Sequence, residues 1–140
     1  HTISSLKHLK QAERIAQEED RKVRILFQVN TSGEDSKSGL ATTEVNDFLS
    51  SLPKSHNLLY SGLMTIGVNT GEPEDSRAGF AQLRILRDQF LGLDDRFNEF
   101  TELSMGMTGD LEIALEEGAT MIRVGTALFG QRDYTSKAKT

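Results

Sequence analysis

The chain has 140 residues and a formal net charge of -5, with 36% hydrophobic and 26% charged residues, a balance that supports one folded domain and excludes a disordered tail. An acidic chain without a Lys/Arg stripe interleaved with aromatics argues against a nucleic-acid partner, and its apolar runs are too short to cross a bilayer. Cysteine is absent, which removes disulfides and thiol chemistry and fits an intracellular, cytoplasmic home; the opening His1-Thr2-Ile3-Ser4-Ser5-Leu6 lacks the regions of a signal peptide.

In chain order, Ser4 to Glu19 reads as a helix, with Ser4 or Ser5 as cap and Leu6, Leu9, Ile15 and Ala16 near one face. Val23 to Val29 (VRILFQV) is short, mostly apolar and rich in strand formers. Thr42 to Leu52 is a second helix, capped by Thr42 or Thr43, with Val45, Phe48, Leu49 and Leu52 buried. Leu58 to Ile66 (LLYSGLMTI) is the second strand. Asp75 or Ser76 opens a long helix to about Leu91, with Phe80, Leu83, Leu86 and Phe90 as its apolar stripe. Thr101 to Ser104 is a short third strand. Asp110 starts a helix that Gly118 ends, Thr120 to Val124 is the fourth strand, and a helical turn follows from Thr126.

The order α-βα-βα-βα-βα implies an α/β fold with parallel strands and right-handed crossovers. A complete (β/α)8 barrel of the TIM type takes roughly 250 residues. Four β/α units, opening on a helix whose strand is missing and on His rather than Met, make about half of one. The expectation is a single domain over residues 1–140 that is the C-terminal half of a barrel. A half barrel exposes strand edges and an apolar inner face, so this chain alone is expected to self-associate as a dimer or aggregate, or to stay partly molten.

Sites in parallel β/α proteins form at the carboxyl ends of strands. Val124-Gly125-Thr126-Ala127-Leu128-Phe129-Gly130 runs from a strand into a helical turn, where glycine permits close backbone approach and Thr126 offers a hydroxyl. Ser104-Met105-Gly106-Met107-Thr108-Gly109-Asp110 repeats the design one unit earlier. Either turn alone could be an ordinary capped connection. In adjacent units, they suit a phosphate held between the last two loops of a barrel. Arg123 is a cation in the otherwise apolar TMIRVGT and needs a partner, either Asp110 or Glu102 or a ligand. The polar loop Asn30 to Gly39 is a solvated loop or a ligand rim, with Lys37 as its cation. His1, His8 and His56 show no metal spacing, and Met64 and Met105 read as core.

Gly62-Leu-Met-Thr-Ile-Gly67, Glu102-Leu-Ser-Met-Gly-Met-Thr108, Glu117 through Gly130 and Arg132-Asp-Tyr134 closely resemble the pyridoxal 5'-phosphate homeostasis protein family. Gln28-Val-Asn-Thr-Ser-Gly-Glu34 with Ser36-Lys37-Ser38-Gly-Leu40 fits the same pattern, so the likeness runs over roughly residues 1 to 134. The resemblance implies a barrel like the alanine racemase N-terminal domain. It implies a monomeric, non-catalytic carrier or buffer of pyridoxal 5'-phosphate (PLP), in the cytoplasm or also in mitochondria. It places the phosphate on Ser104, Gly125 and Thr126, with Gly106 in the same turn, and Arg123 at the pyridine nitrogen. The family's Schiff-base lysine belongs to the N-terminal half, so no lysine here matches it, and Lys37 does not take that role. Thr108-Gly109 departs from the family's common serine and following residue but keeps a hydroxyl. The rivals are a PLP-dependent amino-acid racemase, a barrel enzyme for another phosphorylated metabolite, or a short chain that binds nothing.

Overall fold

The computed structural model describes residues 1–35 and 37–131. Along the chain run β1 (Thr2–Ile3), α1 (Leu6–Glu18), β2 (Val23–Asn30), β3 (Leu40–Ala41), α2 (Val45–Ser50), β4 (Leu58–Met64), α3 (Arg77–Phe90), β5 (Glu102–Met107), α4 (Leu111–Glu116), β6 (Met121–Arg123) and α5 (Thr126–Phe129). Short 3-10 turns at Pro73–Ser76 and Asp95–Phe97 flank α3. The strands form one sheet in the order β1-β2-β4-β5-β6, every pair parallel, with β3 added beside the end of β2. Strand, helix, next strand in one direction is the crossover pattern that alternation required, and it sets the carboxyl ends of all the strands on one side.

Hydrophobic spacing explains the packing. Phe80, Leu83, Leu86 and Phe90 recur at three- and four-residue steps along α3, and all four are buried. On β2, Ile25, Phe27 and Val29 are buried at alternate positions while their neighbours are less so, the period of a strand covered mainly on one face. The centre is aromatic: Phe27 packs on Tyr60 at 5.5 Å between ring centroids, and Phe97 on Phe90 at 5.1 Å and on Phe100 at 5.2 Å. Phe97 enters from a turn in which Asp94 accepts the Arg96 amide hydrogen bond.

Several elements differ from the sequence reading. The strand before the first helix is present: Thr2–Ile3 pairs with Leu26 and Phe27, too short for periodicity to reveal. Ser5 caps α1 as expected, but Leu6 and Ile15 are exposed and Leu9 and Ala16 carry the buried face. Thr42 and Thr43 do not cap α2, which starts at Val45 after Glu44, because Leu40–Ala41 is drawn into a strand pair with β2. Asp75 and Ser76 lie in the 3-10 turn, and α3 begins at Arg77. β5 runs on to Met107, three residues past Ser104, while β6 is shorter than Thr120 to Val124. Met105 is core as expected.

Candidate functional site

Four strand ends meet around Arg123. It closes β6, where it pairs in register with Met107 of β5. Its guanidinium donates to Ser104 Oγ at 2.6 Å and to the Thr65 carbonyl oxygen at 2.7 Å. Ser104 and Thr65 are both buried, one on β5 and the other just after β4. Thr65 Oγ1 in turn donates to the Val29 carbonyl at 2.7 Å and shares a 2.9 Å hydrogen bond with Thr31 Oγ1. One fork therefore ties the ends of β2, β4, β5 and β6 together.

Of the partners open to Arg123 in the sequence, the two carboxylates do not pair with it. Glu102 accepts from the Thr120 hydroxyl at 2.6 Å, beside the amide of Leu103. Asp110 accepts from the Met107 amide and the Ser76 hydroxyl. No ion pair among the described residues involves Arg123. Burial accordingly pushes its pKa below the ordinary arginine value, and the field of Asp110 offsets this in part. A half-buried cation whose recorded contacts are neutral acceptors keeps donors for an additional group, since a guanidinium carries five N–H bonds.

Three residues further along the chain, Thr126 donates from Oγ1 to Thr108 Oγ1 at 3.1 Å, and the Ala127 amide reaches the same oxygen at 3.4 Å. Met107, Thr108, Gly109, Gly125, Thr126 and Phe129 line an open cleft of about 880 Å³. Gly125 sits at the cap of α5 without a side chain, and a Cβ there would meet nothing within 4 Å, so the backbone is open to a ligand. Gly106 has a different task. Its φ of +97° and the 2.6 Å that would separate an added Cβ from Ala114 Cβ show that it lets α4 lie against β5. The structure thus groups Ser104 with Arg123, and Gly125 with Thr126 and Thr108, while Gly106 joins neither group and makes room for α4 against β5.

The loop from Asn30 to Gly39 is ordered by Asn30, whose Nδ2 donates to the carbonyls of Glu34 and Lys37. Lys37 Nζ donates to the Gly67 carbonyl at 2.7 Å and lies 3.4 Å from the Glu34 carboxylate. It lines a second cleft, of about 480 Å³, with Gly67, Met107, Gly109 and Asp110. Ser36 and the Arg132–Tyr134 motif lie outside the described residues. Among the described residues no three His, Cys, Asp or Glu side chains gather as metal ligands, and no helix is long and apolar enough to cross a membrane. Sequence reasoning missed Thr31 and Thr65. The only available signal was a hydroxyl at the polar end of each apolar strand, which is also what an ordinary strand end looks like.

The family model of the alanine racemase N-terminal domain matches residues 1–133. Proteins named pyridoxal phosphate homeostasis protein are 40% identical over 135 residues in Vibrio alginolyticus and 42% identical over 140 residues in Pseudomonas aeruginosa. The chain belongs to the alanine racemase N-terminal domain family, among the pyridoxal phosphate homeostasis proteins.

These alignments cover 96% and 97% of this chain but 57% and 58% of the relatives, so the chain spans little more than half their length. Among solved structures, an unknown protein from Bifidobacterium adolescentis matches with a TM-score of 0.84 at 37% identity, covering 91% of this chain and 52% of that one. PipY of Synechococcus elongatus, solved with PLP bound, matches at 0.77 and 32% identity, covering 91% of this chain and 58% of that one. Alanine racemase of Clostridium difficile matches at 0.64 and 16% identity, over 96% of this chain and 33% of that one, a likeness that bears on the fold alone. The partial (β/α)8 barrel expected from the alternation is the architecture these neighbours share.

Proposed function

We propose that this chain forms the phosphate and ring side of a PLP site in a protein that carries or buffers PLP and does not catalyse a reaction on it. The observation that carries the reading is Arg123: half-buried, held by Ser104 and Thr65, without an ion-pair partner among the described residues, and three residues before Thr126, whose hydroxyl pairs with Thr108. The donor set fits the group. Thr126 and the Gly125 turn would take the phosphate, Ser104 would add its hydroxyl proton while accepting from Arg123, Gly106 would keep the β5 turn in shape, and Arg123 would face the ring nitrogen. PipY was solved with PLP bound, and the curated relatives carry PLP homeostasis in their names, which supports the same ligand here.

PLP supplies an aldehyde that captures amines and a ring that draws electrons. A guanidinium donates and cannot accept a ring proton, so Arg123 would leave the ring nitrogen unprotonated. That weakens the electron sink on which carbanion chemistry depends, and it suits a carrier. The cysteine-free composition supports a reducing compartment, and the reading places the protein in the cytoplasm.

Titration with PLP and with pyridoxal, followed by visible absorbance, tests the proposal. Saturable PLP binding with much weaker pyridoxal binding is expected. Equal affinity for the two would overturn the phosphate assignment, and racemisation of alanine by the complete protein would overturn the non-catalytic one.

A further inference from the structure

Asp110 occupies the cap position of α4, yet its side chain makes no capping bond to that helix. It turns back instead. Oδ1 accepts the Met107 amide at 2.8 Å, while the Asp110 amide donates to the Met107 carbonyl at 3.2 Å. The Met107-Thr108-Gly109-Asp110 turn is thereby closed from both ends, and Thr108 sits inside it. The other carboxylate oxygen accepts the hydroxyl of Ser76, a buried residue at the start of α3, at 3.1 Å.

The junction is crowded. A Cβ at Gly67 would lie 2.3 Å from Asp110 Oδ2 and 2.4 Å from Ser76 Oγ, so only glycine lets the backbone after β4 come this close. Three connections therefore meet at one carboxylate: the loop after β4, the entry to α3 and the loop after β5. Of these, the loop after β5 holds Thr108 against Thr126 and the Ala127 amide.

We propose that Asp110 is a positioning residue for the phosphate subsite: it fixes the turn that presents Thr108 to Thr126, and Ser76 fixes Asp110. The inference rests on the phosphate reading of the Thr108–Thr126 cleft. It accounts for the missing cap, since the carboxylate that would satisfy α4 is engaged in holding a binding loop. It also gives Ser76 and Gly67, neither of which lines that cleft, a specific part in phosphate recognition. The role assigned is geometric: one carboxylate oxygen accepts a backbone amide of the turn and the other a buried hydroxyl, while the negative charge, felt at Arg123, is a separate effect that the asparagine variant removes.

The test uses the complete protein and compares its dissociation constants for PLP and pyridoxal. Asp110→Ala is expected to weaken PLP about tenfold, the scale of losing a hydrogen bond to a charged group, and to leave pyridoxal unchanged. Asp110→Asn keeps an acceptor for the Met107 amide, and its amide group can donate to Ser76 Oγ. It should restore most of the PLP affinity, whereas a role through charge would make Asn as poor as Ala. Ser76→Ala removes one outer bond and is expected to cost about threefold, which keeps the inference falsifiable if Asp110→Ala does not fold. An unchanged PLP-to-pyridoxal ratio in folded Asp110→Ala and Ser76→Ala would overturn the positioning role while leaving the phosphate site standing. Absence of discrimination in the unaltered protein would overturn both.

Discussion

Around β2 and β4 the chain buries Phe27, Tyr60, Phe90, Phe97 and Phe100 in one aromatic stack, each at most 5% exposed. At the β6 end it leaves Met121, Ile122, Leu128 and Phe129 in the open, the last two 72% and 86% exposed. The centre holds apolar side chains in mutual contact, where each lost methylene is felt. The β6 end instead holds an arginine fork, two threonine hydroxyls and open glycine backbone. On the proposed reading, stability and ligand recognition belong to different parts of the same sheet, and substitutions in each should be separable by two measurements, unfolding and PLP discrimination.

The largest effect should come from the centre. Phe97→Ala removes a fully buried ring, and a loss of about 3–5 kcal/mol in unfolding free energy is expected, read from the denaturant midpoint. The PLP-to-pyridoxal ratio of the fraction that remains folded should be unchanged. A shift in that ratio would break the comparison, because it would couple the aromatic stack to the cleft. The converse variant is Arg123→Met. It leaves no carboxylate unpaired but strips the buried Ser104 hydroxyl and Thr65 carbonyl of their donor, so a loss of about 1–3 kcal/mol in stability is expected, smaller than at Phe97. PLP affinity should fall about tenfold or more, measured by absorbance titration. A large loss of stability with PLP affinity intact would make Arg123 a structural tie and nothing else.

The two regions also differ in how far the sequence reveals them. The α3 stripe of Phe80, Leu83, Leu86 and Phe90 is legible because helical spacing and burial are the same signal. The turn carrying Gly125 and Thr126 stands out only because Ser104 to Asp110 repeats its design one unit earlier, since either turn alone could be an ordinary capped connection. Arg123 stands out as a cation in an apolar strand, but its partners do not. Thr65 acts through its backbone carbonyl, which every residue possesses, and Ser104 lies 19 positions away. Phe97 was hidden for a related reason: a three-residue 3-10 turn has no periodicity to detect. Asp110 starts a helix as expected, but the use of its carboxylate is not legible, because the contact with Ser76 is set by packing 34 positions away.

Two titrations sharpen the picture of the centre. Burial pushes the Tyr60 phenol up to about 12 from an ordinary value of 10, and its hydroxyl donates to the Pro53 carbonyl at 2.7 Å. The fold therefore favours the neutral phenol. That contribution is present in full below pH 10 and is lost as pH rises toward 12. Tyr60→Phe is expected to cost about 1 kcal/mol at neutral pH through the lost hydrogen bond. Its thermal midpoint should also decline less steeply than that of the unaltered protein between pH 10 and 12. Equal alkaline slopes would assign the loss to other groups.

The smallest effect is expected at the rim of the same aromatic stack. Asp94 accepts from Arg96 Nε at 3.0 Å and from its terminal nitrogen at 2.7 Å, and that guanidinium lies 5.0 Å from the centre of the Phe97 ring. The side-chain hydrogen bonds from Arg96, with a further one from its backbone amide, hold the Asp94 carboxyl down at about 2, against an ordinary 3.8. A depressed carboxylate stabilises the fold above the unfolded value and loses that contribution as pH falls from about 4 toward 2. Asp94→Asn should flatten this part of the acid limb by a small amount, because the pair is solvent-screened. The measurement is the thermal midpoint at pH 2, 3, 4 and 7. Glu74 and Glu117 are also held below the ordinary glutamate value by Arg77, in the ion-pair network between α3 and α4. If Asp94→Asn follows the unaltered protein throughout, acid sensitivity lies in that network beside the Ser76–Asp110 junction. Acidification would then be expected to weaken PLP discrimination before it disturbs the aromatic centre.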